Sequence, residues 1–251
     1  MSDSRLKVVF LGATRGMGRS LARKMAERGD SLFVLGRSAP ELERTLSDLA
    51  VRGGRPMAGS AECDLGRPET FGPALDAAAA AHGGAFDCVV VTAGLFATQD
   101  QLEQDPALAA RLLTVDFTNT VLFCEDARKR LLASGGGKLC VFSSVAGERG
   151  RKPVVLYGAS KAGLTRYLEG LDHKFRGEGL EVITVKPGFV KTSMTEGLKA
   201  PPFAGEPEAV ASSVLRAIDR GRPVVYAPLP WAPIMAVIRT LPRFVMRRVG
   251  F

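Results

Sequence analysis

An apolar run rich in β-branched and aromatic residues, positions 6–11, gives way at once to Gly12-Ala13-Thr14-Arg15-Gly16-Met17-Gly18. Met17, Leu21, Ala22 and Met25 then recur at helical spacing until Gly29 supplies a stop. Strand, glycine turn and helix in that order admit few folds. Glycines at 12, 16 and 18 permit a tight turn, bring backbone N–H groups within reach of a pyrophosphate, and let the helix pack closely on the strand. Three residues separate the first two glycines, a departure from the G-x-G-x-x-G spacing.

The same alternation continues along the chain. A second strand over 31–35 ends in Gly36-Arg37-Ser38, where an NAD-binding protein usually carries Asp or Glu for the ribose 2′-hydroxyl. Arg37, with Arg15 from the turn, is instead placed to meet a 2′-phosphate, which predicts NADP(H) as cofactor. Ser38-Ala39-Pro40-Glu41 reads as a capping box opening a helix that carries Leu42, Leu46 and Leu49. A third strand over 57–63 leads into Asp64 and Leu65, placed for the adenine edge. The apolar run 86–91 has the composition of a central strand buried on both faces, and Thr92-Ala93-Gly94 after it are small enough for a cofactor to lie against the backbone. Positions 105–134 read as one long helix, broken or not, ending at Gly135-Gly136-Gly137. Strands over 139–142 and 180–185 follow, the latter leading into Lys186-Pro187-Gly188-Phe189-Val190-Lys191-Thr192. The pattern predicts an α/β doubly wound parallel sheet with helices on both faces and ligands at the carboxyl ends of the strands.

Chemistry concentrates between 142 and 161. Tyr157 and Lys161 are four residues apart, on one face of a helix, so the ammonium lies beside the phenol. A phenol titrating near ~10 is a poor acid or base at neutral pH, and a neighbouring cation favours phenolate, so the pair predicts a lowered Tyr157 pKa. Ser144 offers a hydroxyl to the same substrate oxygen.

Composition narrows the remaining choices. At 251 residues the chain suits one large domain, and 46% hydrophobic content argues against disorder. A net charge of +8 admits nucleic acid, anionic lipid or an anionic small molecule, but no aromatic-basic platform or binding-helix motif supports nucleic acid. Cys63, Cys88, Cys124 and Cys140 lack CxxC spacing and read as buried reduced thiols. The two histidines, His82 and His173, are far apart in sequence, so no metal site is expected. The N-terminal residues carry acid and reach glycine too soon for a signal peptide, so the protein is expected in the cytoplasm.

Taken together these residues resemble the short-chain dehydrogenase/reductase family in its single-domain form, over roughly residues 5–230. Gly12-x-x-x-Gly16-x-Gly18, Asp64, Ala93-Gly94, Ser144, Tyr157, Lys161 and Pro187-Gly188-x-Val190-x-Thr192 match in order and spacing. The resemblance implies a seven-stranded Rossmann sheet, a nicotinamide cofactor, a ketone substrate and a homodimer or homotetramer. It implies that residues 1–230 form the NADP-binding catalytic domain, with 231–251 an apolar and basic extension of it. Tyr157 becomes the acid/base, Ser144 the carbonyl polariser and Lys161 the holder of the nicotinamide ribose. Thr14, Arg15, Met17, Leu65, Val190 and Thr192 fall on cofactor-binding positions. One position departs: where the family commonly has Asn in the long helix, ordering a water beside Lys, this chain has Asp116, with Asn119 one turn further on as the alternative. Asp116 accepts but does not donate when ionised, and its charge favours the Lys161 ammonium.

A narrower resemblance concerns substrate. Ser143-Ser144-x-Ala146-Gly147-Glu148-Arg149, Leu198-Lys199-x-Pro201, Val225-Tyr226-Ala227-Pro228 and Leu241-Pro242-Arg243 look like reductases of polyprenylphosphoryl 2-keto-pentofuranose. A long-chain 3-ketone, such as 3-ketosphinganine or a 3-ketoacyl group, is the rival substrate, and a non-catalytic NADP(H) sensor the rival class. From Arg220 onward no acidic residue occurs, while Trp231, Ile234, Met235, Ile238 and Phe244 alternate with Arg239, Arg243, Arg247 and Arg248. That tail suits either peripheral contact with anionic lipid or closure of the substrate pocket or an oligomer interface. The loop 191–207, with Lys191 and Lys199, reads as a lid able to meet a phosphate.

Overall fold

The computed structural model describes residues 5–192, 195, 197, 200–201 and 203–249. Seven strands, β1 (Lys7–Leu11), β2 (Ser31–Gly36), β3 (Gly59–Glu62), β4 (Cys88–Val91), β5 (Gly137–Phe142), β6 (Leu180–Pro187) and β7 (Val224–Ala227), form one sheet in the order β3-β2-β1-β4-β5-β6-β7. Every pairing is parallel, as in a Rossmann-type doubly wound sheet. The chain begins at the centre and winds outward first one way, then the other.

Parallel neighbours require crossovers, and here these are helices. One face is covered by α1 (Gly16–Arg28), α2 (Ala39–Gly53) and α8 (Pro207–Asp219), the other by α3 (Phe71–Ala81), α6 (Thr120–Ala133) and α7 (Val155–Phe175). Strand β1 shows the division. Val8 and Phe10 pack with Leu21 and Val214 on one side, Val9 and Leu11 with Leu75 and Phe123 on the other. Alternation of side chains across a strand that is covered twice leaves no room for polar positions, so the run is apolar throughout. All four cysteines are buried and unpaired, and burial pushes the Cys88 thiol up to about 12.

One expectation is corrected. Ser38 makes no side-chain cap bond at the start of α2, and Glu41, the other half of the expected box, is drawn to Arg15 instead of reaching back to it. A capping box does form between Thr98 and Gln101, opening α4 (Gln99–Gln104). The long helix is continuous but not uniform. Its first part, α5 (Pro106–Leu113), joins α6 through a six-residue π-helical turn, Thr114–Asn119, so the axis continues while the side-chain register shifts. Such turns recur at functional sites, and this one carries the buried Asp116 and Asn119. By length and composition residues 106–133 are apolar enough to cross a membrane, but Phe123, Cys124, Ala127 and Leu131 are sealed in the core beneath the sheet.

After β7 the chain forms α9 (Trp231–Thr240) and α10 (Arg243–Arg248), which fold back over the turn that follows β5.

Candidate active site

The glycine turn is fastened to the end of β4. Gly12 has φ +101°, and a Cβ there would stand 2.6 Å from both Ala93 N and Thr92 Oγ1. At Gly18 a Cβ would meet Gly12 O at 2.2 Å, so neither position admits a side chain. The Thr92 hydroxyl donates to Gly12 O at 2.9 Å, and Arg19 Nε donates to Thr14 O at 2.8 Å. What results is a bare backbone cradle opening α1, the form a dinucleotide pyrophosphate requires.

Beside the cradle, at the carboxyl ends of β4, β5 and β6, lies a cavity of about 260 Å³. It brings together Ser144, Tyr157, Lys161 and Asp116. Ala93 and Gly94 line it from the end of β4, Pro187, Gly188, Val190 and Thr192 from the end of β6, and Met17 from the glycine turn. Ser144 starts the 3-10 turn Val145–Glu148, where its Oγ accepts from Ala146 N at 3.0 Å. The Lys161 Nζ lies 5.5 Å from the Tyr157 ring centroid, and Phe96 meets the same ring edge-on at 5.2 Å.

Asp116 is wholly buried and Lys161 is 5% exposed. The Asp116 Oδ2 stands 3.3 Å from Lys161 Nζ, and its Oδ1 accepts from Leu95 N at 2.6 Å. Asn119 donates to Leu65 O at 2.6 Å and so belongs to the loop after β3; Asp116 alone of the two faces Lys161.

The electrostatics overturn the expected direction for Tyr157. Burial is the largest influence and raises its pKa above the ordinary 10.0; Lys161 pulls it down, Asp116 pushes it up again, and Ser144 pulls weakly down. The net direction is upward, because burial outweighs the pull of Lys161, part of which Asp116 also offsets. Burial likewise raises Asp116 against the pull of Lys161. For Lys161 burial acts downward, but Asp116 and Tyr157 outweigh it and the ammonium is held above its ordinary value.

Other expected residues lie apart from this cavity. Thr14 and Arg15 line a depression of about 400 Å³ between α1 and α2, together with Arg19, Arg23 and Arg44. Arg15 is paired with Glu41, whereas Arg37 is exposed and lines neither hollow. Asp64 accepts from Gly66 N at 2.8 Å, shaping its own turn, and Leu65 is buried. Lys191 is engaged by Glu206 at 2.5 Å; Leu198 and Lys199 lie outside the described residues.

The tail is tied down by both apolar and charged contacts. Met235 and Ile238 pack with Val145, joined by Tyr226, Trp231, Ile234 and Met246. Glu148, four residues after Ser144, binds Lys186 at 2.6 Å, Tyr226 at 3.0 Å and Arg239 at 3.1 Å. Trp231 sits directly on Gly188, where a Cβ would come within 2.1 Å of the indole nitrogen. Leu229, Val237 and Phe244 remain exposed.

A family model for short chain dehydrogenase matches residues 7–202. An uncharacterized oxidoreductase of Mycobacterium tuberculosis is 33% identical over 242 residues, covering 96% of each chain. The chain belongs to the short-chain dehydrogenase/reductase family. Carbonyl reductase family member 4 of Xenopus laevis is 28% identical, covering 84% of this chain and 90% of its own. A short-chain dehydrogenase from Sphingobium yanoikuyae, solved in complex with NADPH, superposes with TM-score 0.79 at 22% identity over 96% of each chain, a likeness of fold.

As a short-chain dehydrogenase/reductase the protein is an oxidoreductase of CH–OH or ketone groups using a nicotinamide dinucleotide. Within that frame, sequence reasoning missed Phe96 and Arg151; Trp231, in a tail read as closing either the substrate pocket or an interface, or as touching lipid, lies in the cavity wall. Thr92, read with Ala93-Gly94 as a place for the cofactor, lines the cavity with them. Arg151 carried no signal, since a loop arginine between two other basic residues reads as solvated surface.

Proposed function

We propose that this protein is an NADPH-dependent carbonyl reductase with Tyr157 as proton donor. The observation that carries the reading is the convergence of Ser144, Tyr157 and Lys161 on one cavity beside the glycine cradle. When bound, the dinucleotide supplies the hydride. Tyr157 holds its proton at the cavity wall, and its raised pKa keeps the phenol protonated at neutral pH, the form that a reduction consumes. Ser144 accepts from Ala146 and can donate to the same carbonyl oxygen. Lys161, kept cationic by Asp116, favours the phenolate left behind and holds the ribose side of the cofactor. Tyr157→Phe should lower kcat for ketone-dependent NADPH oxidation by roughly 10²- to 10⁴-fold. A folded Phe variant with full turnover overturns the assignment, and a protein that binds NADPH but oxidises it with no ketone panel is a sensor instead.

NADPH is favoured over NADH by the absence of a carboxylate at Gly36-Arg37-Ser38 and by the arginines around the adenosine end of the cradle. Arg37→Ala should raise KM for NADPH about tenfold and leave KM for NADH nearly unchanged. The residue roles assigned to Asp64, Leu65, Val190 and Thr192 at the cofactor rest on family position.

For substrate, the narrower sequence resemblance favours a polyprenylphosphoryl 2-keto sugar, with a long-chain 3-ketone second. The exposed Leu229, Val237 and Phe244 beside Arg243, Arg247 and Arg248 support a lipid-borne substrate presented at an anionic membrane surface. Flotation with phosphatidylglycerol vesicles, with and without Phe244→Ser, tests this; identical partitioning removes the membrane. A homodimer or tetramer would cover the exposed Leu113, Phe117 and Leu122 on the long helix.

A further inference from the structure

Among the described residues lining the catalytic cavity, three carry charge: Asp116, Lys161 and Arg151. The first two satisfy one another. Arg151 stands alone. Its Nε is closed off from solvent and finds no hydrogen-bond partner among the described residues, and no carboxylate is near enough to act on it. Burial, with nothing opposing it, lowers its pKa.

Arg55 and Arg130 also bury an unpartnered Nε, but their guanidinium groups bond elsewhere, to Gly29 O and to Asp76. Arg15 pairs with Glu41, Arg23 with Asp48, Arg28 with Asp30 and Asp219, and Arg239 with Glu148. Nor is Arg151 on a slack loop. On one side of it Arg149 donates to Leu241 O at 2.6 Å; on the other Lys152 donates to Arg247 O at 2.7 Å. Leu241 follows the end of α9, and Arg247 lies in α10. With its neighbours held outward, Arg151, in extended backbone at the start of the turn Lys152–Val154, enters the cavity wall near Val154 and Tyr157. An arginine N–H closed off from water without a partner is costly, and a planar fork of donors facing a cavity is suited to carboxylate or phosphate oxygens.

We infer that Arg151 is the binding site for an anionic group on the substrate, a phosphate ester or a carboxylate carried on the same molecule as the reacting ketone. The inference rests on the reductase reading for what the cavity holds, and it narrows the substrate class to ketones bearing an oxyanion. Arg151 then fixes the end of the substrate remote from the carbonyl, while Ser144 and Tyr157 hold the carbonyl oxygen.

The test compares matched ketones: hydroxyacetone phosphate against hydroxyacetone, and acetoacetate against ethyl acetoacetate. In the unmodified enzyme with NADPH, the member of a pair whose anion is the right one has the higher kcat/KM. In Arg151→Gln that preference falls roughly ten- to hundredfold, the range expected for loss of a charge-assisted hydrogen bond, and Arg151→Lys restores part of it. A merely structural role lowers both members equally and leaves the ratio unmoved. A second readout needs no turnover. Trp231 is the only tryptophan and lines the cavity, so its fluorescence reports titration of the NADP⁺-saturated enzyme with ethyl phosphate or propionate. Saturation that weakens tenfold or more in Arg151→Gln supports the site, and which ligand saturates identifies the anion. Absence of saturation by both, or equal affinity in the variant, overturns it. Should no ketone be turned over, the reductase reading fails, and the titration still decides the site.

Discussion

Asp116 sits where it can set the pH behaviour of the proposed catalytic group, because it raises the pKa of both Tyr157 and Lys161. Its charge raises Tyr157 and supports the Lys161 ammonium. In Asp116→Asn the charge is gone, so the Tyr157 pKa falls. Alcohol oxidation, which needs the phenolate, should then reach its plateau at lower pH, and the alkaline limb for ketone reduction should move the same way. Parallel pH–rate profiles in both directions measure this; superimposable profiles, or a folded but inactive variant, sink the assignment. Tyr157, Lys161 and Ser144 were legible because helical spacing and a strand end fix where such side chains point. The direction of the Tyr157 shift was not, since desolvation depends on what covers the ring. Arg151 was hidden for a related reason: a loop residue's orientation is decided by its neighbours' anchors, in this case Leu241 and Arg247.

The elements most open to sequence reading were those with strong periodicity or apolar runs, the first six strands above all; β7 was implied only through the family resemblance. The π turn at Thr114–Asn119 left no mark in the pattern, because one extra residue within a long apolar helix shifts register without changing composition. The capping box expected at Ser38 lost its Glu41 half for a reason the local pattern does not show: that carboxylate has an ionic partner in Arg15. Tail docking was only half legible, the apolar stripe being visible but not the buried charges beneath it. Glu148 and Lys186 have side chains 4% and 8% exposed, so Glu148→Gln leaves a buried cation uncompensated and should cost roughly 3–5 kcal/mol of stability, read by urea denaturation at pH 7. Burial acts to raise Glu148, but Lys186, Tyr226 and Arg239 prevail and hold it below 4.5. A depressed carboxyl gives stability that is present above its unfolded value and disappears as pH falls through the folded one, so the difference between parent and variant should shrink on acidification below pH 4.5. At the other end of the same contact, Gly188→Ala forces Cβ into the Trp231 ring and should displace α9, with blue- or red-shifted emission as the sign.

For the molecule as a whole, cofactor choice is measurable as stability. A ligand that binds only the folded state adds about 2.7 kcal/mol at a hundred times its Kd, so NADP⁺ should raise Tm well above the value reached with equal NAD⁺. Equal shifts would argue against a 2′-phosphate site. The topology carries a further consequence, one for the order of assembly. The cradle is shared between the first strand and the end of the fourth: Thr92 bonds to Leu11 across 81 residues of sequence. Contacts so remote cannot form until the intervening chain has collapsed, which makes refolding slow compared with helical proteins of the same size. Competence to bind dinucleotide should therefore return together with the central sheet during renaturation, and no early intermediate should capture the nucleotide.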